Sequence, residues 1–145
     1  MREIIFRGKR TYDGQWITGW LVELGRESFS DNRRFGIANK AVPLGTSSVC
    51  YNLKINEVIP ETVGQYTGLT DRNGTKIFEG DIVRLVYNGN EHIYQVVYDV
   101  TELDFKATNG REEYGNNFQY LTCCEEVEVI GNINDNPELL SKSDK

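Results

Sequence analysis

The 145-residue chain is short of several things, and each shortage excludes something. No apolar run exceeds three residues, as at Ile4-Ile5-Phe6, whereas a membrane-spanning helix needs about 20. No basic segment followed by an apolar stretch opens the chain, so no secretory signal is expected and the expected setting is a cytoplasm. The three cysteines, Cys50, Cys123 and Cys124, are odd in number and include an adjacent pair, which is not metal-ligand spacing. They are expected as free thiols in a reducing compartment, with Cys123 and Cys124 on opposite faces of a strand. The single histidine, His92, leaves little for acid–base chemistry and reads as an exposed residue at a strand start. Glycine-rich phosphate loops, the serine nucleophile elbow and the His-Glu-x-x-His zinc motif are all missing. The expectation is therefore no catalytic residue, no metal and no cofactor. Alanine occurs only at 38, 41 and 107, against 14 glycines and 13 asparagines, which argues against long helices.

Positive charge is also in deficit: 16 Lys and Arg against 22 Asp and Glu give −6. That balance disfavours a duplex-binding surface. The distribution is uneven. Residues 1–60 hold nine basic and six acidic side chains (+3), and residues 61–145 hold seven and sixteen (−9). The two halves can attract each other, within a chain or between neighbouring chains.

What the sequence does have is turns. Asp13-Gly14, Asn73-Gly74, Asn88-Gly89 and Asn109-Gly110 punctuate short β-branched and aromatic segments, and tight hairpin turns place both central residues at positive φ. The chain is expected to be mainly β. Residues 1–60 read as a hairpin region, with arms at 2–7 and 15–24, an irregular polar stretch at 27–37, and strands near 48–53 and 55–59. Residues 61–133 read as a small five-strand barrel, with strands at 82–87, 92–99, 103–108, 118–122 and 126–132. Asn136-Pro137 reads as the N-cap and first residue of a short helical turn in a C-terminal tail that completes a 61–145 region. The two regions can also form one intertwined unit, because the 15–24 arm is apolar on both faces. A fully buried Trp16 or Trp20 would cost about 3–5 kcal/mol on truncation to alanine.

Residues 62–83 form the densest motif: Thr62-Val63-Gly64-Gln65-Tyr66-Thr67-Gly68-Leu69-Thr70-Asp71-Arg72-Asn73-Gly74-Thr75-Lys76-Ile77-Phe78-Glu79-Gly80-Asp81-Ile82-Val83. With Ile5-Phe6-Arg7-Gly8-Lys9, Gly14-Gln15-Trp16-Ile17-Thr18-Gly19, Glu128-Val129-Ile130-Gly131-Asn132-Ile133 and Asn136-Pro137-Glu138-Leu139-Leu140, it makes the chain resemble the YopX-like family of phage and prophage proteins. Residues 25–55 match poorly. The resemblance implies a mainly β homo-oligomer from a mobile element or its bacterial host. It brings no activity and no catalytic residue.

Within the motif, Gly64, Tyr66, Gly68, Asp71, Asn73, Gly74, Glu79, Gly80 and Asp81 stand out. Its carboxylates invite a calcium reading, but Gly74 and Glu79 fall at positions 4 and 9 of a loop counted from Asp71, where an EF-hand needs positions 6 and 12. The structural reading is a chain reversal at Asn73-Gly74, anchored by Ile77 and Phe78. Gly80 then takes a bend or a positive φ, and Asp81 accepts backbone N–H groups. Glu79-Gly80-Asp81-Ile82-Val83 looks like the Gly-Asp turn that feeds an SH3-like barrel, an analogy of fold that carries no function.

Two binding functions remain. The first is a non-enzymatic module that assembles with itself and binds a phage or host protein. Its expected contacts are Tyr12, Trp16, Trp20, Tyr51, Tyr87 and Tyr94, since aromatics anchor interfaces. The alternative is a small β-barrel that binds nucleic acid through Arg7, Lys9, Arg10, Arg33 and Arg34 with Tyr12 stacking; the acidic second half makes nucleic acid the less favoured partner. A third reading, an acidic surface that mimics nucleic acid, ranks last because its charge is interspersed with apolar residues. No membrane partner is expected.

Overall fold

The structure is a computed structural model that describes residues 1–25, 33–46, 49–110 and 118–141. The chain is mainly β and divides into two compact units, residues 1–65 and 66–145.

In the first unit, β1 (Phe6–Lys9), β2 (Trp16–Leu24), β3 (Arg34–Pro43) and β4 (Tyr51–Val58) lie in the order β4-β3-β2-β1, all antiparallel. The first two residues of β5 (Gly64–Thr70) pair with β1, Gly64 opposite Arg7 and Gln65 opposite Phe6. Directly opposed residues share a face, so the register sorts the side chains. Ile17, Ile37 and Val58 form the buried core on one face, with Phe6, Leu21, Phe35 and Val63 packed against them. Arg7, Lys9, Trp16, Thr18, Trp20 and Val22 fall on the other face. Gly19 is fixed by close approach: a Cβ there would lie 2.2 Å from the Ala38 carbonyl oxygen of the neighbouring strand.

The stretch 27–37 does not stay irregular throughout, because β3 begins at Arg34; residues 27–32 lie outside the described residues. The two strands expected near 48–53 and 55–59 are one, β4. Lys54, the gap between the two expected strands, is an exposed residue of β4 opposite Lys40, and an edge strand tolerates a charge there. A bulge between Ala38 and Lys40 shifts the β3–β4 register by one residue. Pairing of β3 with β2 ends at Ala38, so beyond the bulge β3 and β4 run on as a two-stranded arm.

In the second unit the rest of β5 pairs with β6 (Lys76–Phe78), Tyr66 opposite Phe78. A five-stranded antiparallel sheet follows: β7 (Asp81–Tyr87), β8 (Asn90–Asp99), β9 (Asp104–Thr108), β10 (Phe118–Tyr120) and β11 (Glu126–Asn132), in the order β10-β9-β8-β7-β11. The five strands are there, but the SH3-like closed barrel is not. Closure needs the two edges to pair, and among the described residues β10 pairs only with β9 and β11 only with β7. With three residues, β10 is too short to carry a second ladder around a barrel. The core on one face is Ile77, Val83, Leu85, Tyr94, Val96, Ala107 and Leu121, with Leu69, Tyr87, Phe105, Cys124, Val127 and Val129 around it.

Of the four turn dipeptides, only Asn88-Gly89 has both residues at positive φ (50° and 75°), closing the β7–β8 hairpin between Tyr87 and Asn90. In the other three only the glycine takes positive φ, so they sit in longer turns. The terminal helical turn is α1 (Glu138–Ser141). Asn136 precedes it, but its side-chain oxygen accepts the Asn132 N–H at 3.3 Å instead of capping the helix. Among the described residues no helix is long and apolar enough to cross a membrane.

Candidate functional site

The densest motif wraps Asp71, a buried carboxylate. Its Oδ1 accepts the N–H groups of Asn73 (2.8 Å) and Thr75 (2.9 Å), and its Oδ2 accepts that of Val129 on β11 (2.9 Å). Backbone bonds between Asp71 and Thr75, and from Arg72 N–H to the Val127 carbonyl, complete the reversal. Burial opposes ionisation, but the three N–H donors, with Arg72 nearby, outweigh it and hold the carboxyl below the usual range. Asp81 Oδ2 accepts the Phe78 N–H at 2.7 Å, and Gly80 takes φ +91° between them while its N–H bonds the Val96 carbonyl. Tyr66 packs its ring 5.6 Å from that of Phe78, beneath the Lys76 ammonium. These bonds spend the two aspartates on the backbone, and among the described residues no group of three His, Cys, Asp or Glu side chains is placed to hold a metal. Gly64 is buried against β1; Gly68 (φ +89°) is exposed within β5 where its register with β6 breaks, Gly74 (φ +81°) lies in the exposed reversal, and Asn73 and Glu79 lie in the turns that flank β6.

Beside the Asp71 turn an open groove of about 300 Å³ runs between Leu69, Arg72, Ile77, Leu121, Cys124 and Glu126. It presents no nucleophile paired with a base. Cys124 is half-buried, and burial first, then the neighbouring Cys123, pushes its thiol up to about 11, which keeps it protonated and inert. Leu121–Cys123 form a 3-10 turn, so strand alternation does not govern the cysteine pair: Cys123 is exposed, Cys124 partly covered. His92 is half-buried on β8, where it stacks on Tyr94 at 5.1 Å with its Nδ1 3.3 Å from the tyrosine hydroxyl. On the opposite face, Arg84 on β7 gathers Glu91 (3.2 Å) from β8 and Glu126 (3.4 Å) and Glu128 (3.1 Å) from β11, the two strands beside it.

The aromatic candidates separate by burial. Tyr94 is a core residue (4% exposed) and cannot dock a partner; Tyr87 packs at the margin of the same core. Trp16 is half-covered by the Arg7 guanidinium at 4.9 Å and the Lys9 ammonium at 5.4 Å. Tyr12 lies open under Arg10, which also binds Asp13 through two nitrogens (3.0 and 2.5 Å). Trp20 and Tyr51 are about half exposed (51% and 55%). Leu53 and Ile55, which are not among the expected contacts, are exposed and on the same face of β4 as Tyr51, as their i, i+2 spacing signals. The register carries that face across β3 to Trp20, with Ala38 opposite both Trp20 and Ile55. A second groove, about 600 Å³, is lined by Ile4, Trp20 and Ala38 at its margin. The basic candidates Arg33 and Arg34 are each engaged by a carboxylate, Glu23 at 3.0 Å and Glu57 at 2.7 Å.

Two antiparallel sheets, a backbone-tied aspartate turn and a partly apolar exposed sheet face define a mainly β protein. Residues 5–141 match the family model described as YopX protein, and the chain belongs to that family. It is also similar to the crystal structure of protein EF1440 from Enterococcus faecalis, at 23% identity and a TM-score of 0.56, over 97% of this chain and 99% of that one; the likeness is one of fold. No curated protein matches the chain.

Proposed function

We propose that this YopX-family chain is a non-enzymatic module that assembles with itself and docks a phage or host protein in the cytoplasm of a bacterium carrying the mobile element. The observation that carries this reading is the open face of the first unit, where Trp20, Tyr51, Leu53 and Ile55 lie together in solvent. Contiguous aromatic and aliphatic surface costs free energy in water, and on soluble proteins it marks an interaction site. Light scattering coupled to chromatography tests it. At about 100 µM the expected mass is a multiple of 16.6 kDa. A monomer under those conditions sinks the reading.

A second reading, binding of single-stranded nucleic acid, is favoured by one feature, the stack of Arg7 and Lys9 on Trp16. Against it, Arg10, Arg33 and Arg34 already face carboxylates, which removes most of the basic patch. Fluorescence anisotropy at about 50 mM salt separates the two, since electrostatic binding is strongest there. No binding is expected.

A further inference from the structure

The arm beyond the bulge carries exposed apolar surface on paired strands. From Asn39 to Pro43 on β3, and from Tyr51 to Ile55 on β4, every residue is exposed. A two-stranded ribbon with both faces in water is marginal by itself. This one carries Ala41, Pro43, Tyr51, Leu53 and Ile55 on one face and sets Lys40 directly opposite Lys54 on the other. Like charges opposite each other destabilise a ladder, and among the described residues neither lysine has an acidic partner. The bulge at the arm's root is the device that bends a ribbon away from its sheet. The arm therefore needs a cover that is apolar in part and acidic in part.

The second unit offers such a surface at the β8–β9 turn. Val100 and Leu103 are 73% and 74% exposed, and Glu102 and Asp104 flank them without a cationic partner among the described residues. Leu103 sits at φ +56°, a region that bulky side chains rarely adopt. The turn is nonetheless firmly built. Asp99 Oδ1 accepts the Thr101 N–H (2.8 Å), the Thr101 hydroxyl (2.6 Å) and the Glu102 N–H (3.2 Å), while Lys106, fully buried, pairs with the other oxygen. The buried lysine is consumed within the turn; Glu102 accepts the Tyr120 hydroxyl at 2.5 Å, and neither it nor Asp104 is paired with a cation among the described residues.

We propose that the β3–β4 arm of one copy docks on the β8–β9 turn of a second copy, with Lys40 and Lys54 facing Glu102 and Asp104 and the arm's apolar residues covering Val100 and Leu103. The proposal rests on the self-assembly reading and names its contact. Charge complementarity selects this occupant over a second arm, because pairing β4 with another β4 would bring lysine to lysine. Joining two different surfaces gives either a reciprocal two-fold dimer, in which each arm covers the other copy's turn, or a head-to-tail ring or filament.

Sedimentation at 1–100 µM and about 50 mM salt tests it on three full-length variants: K40E/K54E, E102K/D104K, and the quadruple variant carrying all four changes. Far-UV circular dichroism and the thermal midpoint check that each folds. Each double variant is expected to weaken assembly at least tenfold, and the quadruple variant to recover most of that loss; raising salt to about 0.5 M should weaken the wild type as well. A wild type that assembles, with a K40E/K54E variant that assembles equally well, overturns this contact and leaves the self-assembly reading standing. A wild type that stays monomeric overturns both. If an equimolar mixture of wild type and K40E/K54E assembles more tightly than either alone, the arm docks on another arm, and the proposal falls.

Discussion

The two units solve the same packing problem differently. Residues 66–145 put seven buried side chains, with six more around them, beneath one five-stranded sheet. Among the described residues, 1–65 gather only three into their core cluster, Ile17, Ile37 and Val58. The missing apolar surface is in solvent: Trp20, Tyr51, Leu53 and Ile55 on one face of the sheet, Val42 and Leu44 toward the arm's end. One unit gathers its buried hydrophobic residues into a larger core, and the other leaves a contiguous share of them in water on one sheet face.

The comparison can be broken most sharply at close approaches. Gly19→Ala forces a Cβ against the Ala38 carbonyl oxygen, so the β2–β3 ladder must part. The expected result is loss of the cooperative unfolding transition of residues 1–65, read by hydrogen exchange, with β7 and β8 still protected. Leu85→Ala, in the second core, should cost about 2–5 kcal/mol in urea denaturation. A cost under about 1 kcal/mol would contradict the packing described for that unit.

Asp71→Asn keeps the shape but removes the charge that three backbone N–H groups solvate; the expected cost is about 2 kcal/mol at pH 7. The native pKa of Asp71 lies below its unfolded value, so its contribution is complete above pH about 4 and is lost as pH falls through the lower native pKa. Asp99 acts in the same direction, held low first by Lys106 and then by Thr101. Stability should therefore drop on acidification below about pH 4, and less steeply in Asp71→Asn. An unchanged acid profile would remove Asp71 from its assigned place.

The smallest effects should come from the open face. Trp20→Ala in the monomer is expected to cost about 1 kcal/mol, well short of the 3–5 kcal/mol that full burial would imply, because half of the ring is already in water. Its effect on assembly should exceed its effect on stability, and the reverse ordering would make Trp20 a packing residue. For Trp16→Leu, the lost stacking with Arg7 and Lys9 should amount to about 1 kcal/mol, measured by thermal unfolding.

Much of this is legible in the amino-acid sequence, for local reasons. The strands of the second unit follow from β-branched runs between asparagine-glycine turns. The reversal at Asn73-Gly74 and the N–H-accepting Asp81 follow from local turn chemistry, whereas the three N–H groups held by Asp71 emerged only in the fold. The reach to Val129, 58 residues away, had no local signal. β3 was hidden because its apolar residues are few and its ladder is stabilised by partners on either side. The aromatic list was drawn from residue type, and type alone cannot separate Tyr94, which faces a core, from Tyr51, which faces water.

The amino-acid sequence by itself determined that the chain is mainly β, where most of its turns fall, and its membership of the YopX family, since these rest on backbone preference and on a long contiguous motif. Tertiary structure decided that the second sheet stays open, that Lys106 is buried against Asp99, and that Lys40 and Lys54 stand opposite each other on an uncovered arm. Those outcomes depend on which strands lie side by side and in what register. A shift of one residue, like the bulge after Ala38, turns every following side chain to the other face.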